Sequence, residues 1–150
     1  PNLGIMYLGS GQGKEELVVA DVPGLIEGAS KGKGLGLDFL RHIENCQVLM
    51  FILYLDESVI FDESISDQQK AVMLWQQYEQ LKKELGDYSS KLLEKPSILT
   101  VNKIDLYTTE QIDIFRSYFM DKDMNVIFFS TVTNAGLDEV KKAISKTIKS

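Results

Sequence analysis

Asp21-Val-Pro-Gly24, Asn102-Lys-Ile-Asp105 and Ser130-Thr-Val132 each follow a short apolar run, and each sets polar groups at a spacing that can do chemistry. An aspartate closing a strand can hold Mg²⁺, usually through a water, and a glycine three residues on lets a backbone N–H approach a phosphate. Asp, Pro and Gly are also ordinary turn residues, and taken alone this segment reads first as a turn. The second segment is more specific. A carboxylate accepts two hydrogen bonds from a ring that offers N–H and NH₂ side by side, which is the edge of guanine. Adenine has no such donor pair there, and a carboxylate left unpaired lowers its affinity. Asn102 can tie neighbouring loops together, and the Lys103 stem can cover a base face. The backbone N–H groups of Ser130, Thr131 and Val132 can meet a base carbonyl, although that segment alone carries little information.

The elements that must position these residues alternate. Leu17-Val-Val-Ala20, Val48 to Tyr54, Ile98 to Val101 and Val126 to Phe129 are apolar runs of strand length. Such continuous runs suit strands of a parallel sheet buried on both faces. Between them, Ala71, Leu74, Trp75, Tyr78, Leu81 and Leu85 recur at helical steps, with Gly86 as the stop. Thr108 to Gln111 reads as a capping box ahead of Ile112, Phe115 and Phe119. Leu137, Val140, Ile144 and Ile148 form a last stripe, and Leu37, Leu40 and Ile43 a shorter one. Strand–helix alternation predicts a doubly wound α/β sheet, whose ligand sits at the carboxyl ends of its strands. Gly9-Ser-Gly-Gln-Gly13-Lys14 reads as a hairpin turn between Ile5–Leu8 and Leu17–Ala20.

Composition bounds the rest. The chain is long enough for one domain burying ~70% of its unfolded surface. Its apolar content of 44% and charged content of 25% exclude a disordered tail. The longest apolar stretch, Val48 to Leu55, is far short of the ~20 residues that span a bilayer, so neither a membrane segment nor a signal peptide is expected. One cysteine, Cys46, excludes an internal disulfide framework and suits a reducing compartment; one histidine, His42, excludes most His-ligated metal sites. A net charge of −6 argues against binding DNA or RNA by charge alone. His42 reads as a surface residue, Cys46 as a packed thiol, and Trp75 and Tyr78 as core. Asp62, Glu63 and Asp67 precede the long helix and read as its first-turn or capping charges. Lys141, Lys142, Lys146 and Lys149 read as a solvated basic face.

Asp-x-x-Gly, then Asn-Lys-x-Asp about 80 residues on, then a Ser-Ala-like element, resembles the constellation of P-loop GTPases; Thr131 stands where Ala is usual. Pro1-Asn-Leu-Gly4, Asp21 to Ala29, Gly34-Leu-Gly36 and Phe39-Leu-Arg-His-Ile-Glu44 are similar to the GTPase domain of the Obg family, over essentially residues 1–150. The related YchF family shares a segment like Gly28 to Gly36 but departs from the guanine motif, and DRG-type relatives lack the Phe39–Glu44 string. The resemblance implies a GTP/GDP switch with slow GTP hydrolysis, linked to assembly of the large ribosomal subunit, in the cytoplasm or an organellar matrix. It implies Mg²⁺ held by Asp21 through water and a γ-phosphate contact from the Gly24 N–H, with Val22 and Pro23 between. Asn102, Lys103, Ile104 and Asp105 would select guanine, and Ser130, Thr131 and Val132 would close over the base. Residues 21–36 would be switch II; the five glycines from Gly24 to Gly36 suit a segment ordered only by a γ-phosphate. No strand immediately precedes Gly32-Lys-Gly34-Leu-Gly36, so it is no dinucleotide fingerprint.

Two departures set further expectations. Leu25 occupies the place of the water-positioning glutamine of Ras-like enzymes, so hydrolysis should be slow or depend on another group. No Gly-x-x-x-x-Gly-Lys-[Ser/Thr] loop occurs; Gly9 to Lys14 is one residue short of it, with Glu15 in place of Ser/Thr. The chain begins at Pro1 without methionine, which reads as a G domain starting just after switch I. Its first strand, P-loop and first helix would then be missing, nucleotide binding would be impaired, and the sheet would have a gap or a substitute strand. The alternatives are a degenerate G-like domain that binds protein without hydrolysis, which the intact Asn102, Lys103 and Asp105 speak against, and an ATP-dependent enzyme, which Asp105 disfavours.

Overall fold

The computed structural model describes residues 3–9, 11–21 and 43–150. Strands β1 (Leu3–Leu8) and β2 (Glu15–Ala20) form an antiparallel hairpin in which Leu3 faces Ala20 and Leu8 faces Glu15. Its turn is the glycine run, with Gly9 at φ 82° and Gly11 at φ 80°, so the stretch expected to be a turn and not a phosphate loop is a turn. β3 (Leu49–Leu53), β4 (Ser97–Val101) and β5 (Val126–Phe128) form a parallel sheet in the order β3-β4-β5. Four helices are described: α1 (Glu57–Ile60), α2 (Asp67–Tyr88), α3 (Thr109–Met120) and α4 (Leu137–Lys149).

Strand alternation sends successive side chains to opposite faces, and both faces are covered. Phe51, Leu53, Leu99, Val101, Val126 and Phe128 pack with Ala71, Leu74 and Tyr78 of α2 and with Phe115 and Phe119 of α3. On the other face, Ile98, Met50 and Ile127 meet Val140 and Ile144 of α4, joined by Leu8, Met6 and Leu17 of the hairpin. This is the expected α/β architecture with helices on both faces. Trp75 and Tyr78 belong to the core as expected, with Trp75 also 5.6 Å from Phe119 in an edge-on stack.

The structure corrects several local expectations. The apolar runs of β2 and β3 are not buried on both faces: Val18 is 67% exposed, Ile5 opposite it 59%, and Ile52 of β3 45%. Gly86 does not stop α2, which continues to Tyr88. Its lack of a side chain admits Leu93, whose Cδ1 would lie 2.9 Å from an added Cβ. Asp67 is a first-turn charge of α2, as expected, whereas the cap is not one of the three carboxylates but Ser66, in a reciprocal box with Gln69. The Thr108–Gln111 box forms as expected. Among the described residues β2 and β3 do not pair, so the hairpin and the parallel sheet are two separate sheets.

Candidate functional site

Two loops leave the carboxyl ends of β4 and β5 side by side. The Asn102 N–H donates to Leu53 O at 2.8 Å, the Phe129 N–H to Val101 O at 2.9 Å, and the Ile104 N–H to Phe129 O at 3.2 Å. The sheet ladder therefore runs into the first loop and stitches it to the second. Lys103 then takes a left-handed conformation, φ 73° and ψ 31°, which is costly for any residue with a Cβ. The Asn102 carboxamide holds it there. Its Oδ1 accepts from the Lys103 N–H at 2.7 Å and from the Thr131 N–H at 3.3 Å, so one side chain ties both loops.

Ser130 is fully buried and uses its whole hydroxyl valence. Its Oγ donates to Asp105 Oδ1 at 2.7 Å and accepts from the Val132 and Thr133 N–H groups, both at 3.1 Å. Asp105 is exposed, so a carboxylate edge fixed through one oxygen faces solvent. The Ser130 N–H closes the loop on Ala135 O at 2.8 Å. Gly136, at φ 76°, ends it where an added Cβ would overlap Phe128 O and lie 3.0 Å from Phe129 Cα.

Asp105 lies in a short 3₁₀ turn, Ile104–Leu106, after which Tyr107 enters the core. Its hydroxyl accepts from the Leu55 N–H at 3.3 Å. Burial pushes the phenol up to about 12; the Leu55 N–H opposes that rise and the nearby Asp105 charge adds to it. A groove of about 410 Å³ lies alongside, between the capped starts of α2 and α3, lined by Ile60, Ser66, Lys70, Leu106 and Thr108. It does not include Asp105.

Asn102, Lys103, Ile104, Asp105, Ser130, Thr131 and Val132 are thus brought together, with two differences from expectation. The Ser130 hydroxyl is spent on Asp105 and its own loop, and the Thr131 and Val132 N–H groups already have partners. Asp21 is described, exposed at the end of β2. Val22, Pro23, Gly24 and Leu25 lie outside the described residues, as do His42 and the rest of the expected switch II. Among the described residues no cluster of three or more His, Cys, Asp or Glu groups forms a metal site. A single carboxylate at a strand end fits Mg²⁺ only when phosphates and waters supply most ligands. Sequence reasoning missed Tyr107 and the supporting role of Gly136, although a Gly placed just before an amphipathic stripe was a visible signal. Among the described residues no helix is long and apolar enough to cross a membrane.

Residues 4–103 match the family model described as 50S ribosome-binding GTPase. The chain is 39% identical over 148 residues to the GTPase Obg of Coprothermobacter proteolyticus, covering 99% of the chain and 32% of that protein. It is 37% identical to the GTPase Obg of Pelagibacter ubique, covering 94% of the chain and 38% of that protein. To the GTPase Obg of Rickettsia bellii it is 39% identical, covering 99% and 40%. The chain therefore spans between about a third and two fifths of the length of these curated relatives. On this match the chain belongs to the 50S ribosome-binding GTPase family, and within it resembles the GTPase domain of the Obg proteins.

Proposed function

We propose that residues 1–150 form the guanine-recognition and switch II part of an Obg-type G domain, and that the whole protein is a GTP/GDP switch that hydrolyses GTP slowly. The observation that carries this reading is the Ser130–Asp105 pair: a buried hydroxyl fixes one carboxylate oxygen and leaves an exposed carboxylate edge beside the Asn102-tied Lys103. A base with adjacent N–H and NH₂ donors satisfies that edge, and adenine does not. The Thr131 N–H, in a long 3.3 Å bond, is the donor most easily exchanged to a base carbonyl.

On this reading Asp21 holds Mg²⁺ through water, the Gly24 N–H meets the γ-phosphate, and Leu25 cannot orient the attacking water, which keeps hydrolysis slow. Among the described residues β2 does not pair with β3, and residues 1–150, which carry the base-recognition loops and no phosphate loop, bind nucleotide weakly by themselves. The partner is the large ribosomal subunit, as the family's description has it, and the compartment is the cytoplasm or an organellar matrix.

Titration with a fluorescent GDP analogue in millimolar Mg²⁺, with GTP, ATP and xanthosine nucleotides as competitors, tests the reading. Displacement by GTP and not ATP, with Asp105→Asn moving preference to the xanthosine nucleotide, is the expected result. Equal displacement by ATP, or Asp105→Asn without effect, overturns the guanine assignment.

A further inference from the structure

The Lys103 ammonium lies over the ring of Tyr54, 4.7 Å from its centroid. Tyr54 is the residue directly after β3 and is 45% exposed, so its ring is on the surface and not committed to the core. Its backbone, by contrast, is clamped. The Tyr54 N–H donates to Gln77 Oε1 at 2.9 Å, and Gln77 Nε2 donates to Tyr54 O at 3.2 Å. Leu53 O faces β4, where it takes the Asn102 N–H, so by strand alternation the Tyr54 groups face away from β4. A carboxamide from α2 therefore stands where a neighbouring strand's peptide would stand, and extends the edge of β3 by one residue.

We propose that Tyr54 and Gln77 are positioning residues of the guanine site: Gln77 locks the Tyr54 backbone, and the Tyr54 ring holds the Lys103 ammonium so that the lysine stem is laid out as a cover for the base. The proposal rests on the guanine reading given above. Its physical basis is entropy and electrostatics together. A free lysine side chain loses most of its rotamer freedom when a base is placed against its stem. A ring that already fixes the far end of that chain, through attraction between ammonium and π face, removes part of this loss before the base arrives. The lysine backbone is fixed as well, by Asn102, so the stem is anchored at both ends. The hydrogen bonds of Tyr54 and Gln77 go to each other and that of Asp105 to Ser130, so each acts on the base through Lys103.

The test is an NMR titration of the chain with GDP and ADP in Mg²⁺, which detects millimolar binding. Tyr54→Ala and Tyr54→Leu are expected to weaken GDP binding about five-fold, and Tyr54→Phe, which keeps the π face, to stay within about two-fold of the parent. Gln77→Ala is expected to fall between them. In a Lys103→Met background, which keeps a stem and removes the ammonium, Tyr54→Ala should have no further effect. The upfield shift of the Lys103 ε-protons by the ring should vanish in Tyr54→Ala and persist in Tyr54→Phe. Full GDP affinity in Tyr54→Ala, or an undiminished Tyr54→Ala effect in the Lys103→Met background, overturns the proposal while leaving guanine recognition intact. If the parent chain does not prefer GDP to ADP and Asp105→Asn does not bring in the xanthosine nucleotide, the guanine reading fails and the proposal falls with it.

Discussion

Ser130 Oγ donates to Asp105 Oδ1 at 2.7 Å across a sequence separation of 25 residues, joining the loops that follow β4 and β5. The same oxygen accepts two N–H groups of its own loop, from Val132 and Thr133. One buried hydroxyl thus sets both the direction of the carboxylate and the curvature of the loop beside it.

Ser130→Ala should therefore act on stability and binding together. It leaves two loop N–H groups and one carboxylate oxygen without their partner, a loss of about 1–3 kcal/mol by the usual cost of orphaned buried groups. Urea denaturation should show a lower midpoint with unchanged slope, and GDP affinity should fall. An unchanged midpoint would mean that water replaces the hydroxyl and that the pair is not structural.

The α/β alternation was legible because β3, β4 and β5 are continuous apolar runs; β4 is buried along most of its length, whereas Ile52 of β3 is 45% exposed. The hairpin was legible from its glycines. The candidate site at Asn102, Lys103 and Asp105 was legible because three residue types at fixed spacing follow a strand. Their support was not. Tyr54, Gln77 and Tyr107 act through contacts 23 to 52 residues apart, which no local pattern records. Gly86 misled because a glycine required by a close neighbour, Leu93, looks in sequence like a helix stop.

Gly136→Ala should be among the most damaging single changes in the described fold. The residue sits at φ 76°, which a side chain disfavours, and the added methyl would strike the Phe128 carbonyl, which is backbone and cannot swing aside. A cost of at least about 2 kcal/mol is expected, with the Ser130–Ala135 loop closure lost alongside. Thermal unfolding of the variant checks the first point and amide exchange at Ser130 the second. A fall in stability with the Ser130 amide still protected would separate the two effects.

Tyr107 gives the fold a response to alkali. An unfolded tyrosine ionises near ~10, and burial raises Tyr107 to about 12 in the folded chain. Folding therefore favours the neutral phenol. That contribution is complete below about pH 10 and is lost as pH rises through about 12. Urea midpoints of the parent should hold steady to about pH 10 and then fall. Tyr107→Phe should shallow that fall, while lowering the midpoint below about pH 10 because the Leu55 N–H loses its acceptor. Tyr78 and Tyr88 are also raised by burial, so part of the alkaline slope should remain. Phenolate absorbance followed in both chains assigns the missing part to Tyr107.

Lys103→Gly separates the needs of the backbone from those of the ligand. At φ 73° lysine carries left-handed strain of about 1–2 kcal/mol, which glycine relieves. Glycine also loses more freedom on folding, by roughly 0.5–1 kcal/mol, and the contact with the Tyr54 ring disappears. These terms nearly cancel, so the urea midpoint of Lys103→Gly should stay close to that of the parent. Affinity for GDP should drop by about ten-fold, because both the stem that covers the base and its ammonium are gone. That outcome would assign the left-handed lysine to the ligand and not to the backbone. If Lys103→Gly instead loses stability and keeps its affinity, the strained conformation is structural and the lysine has no part in holding the base.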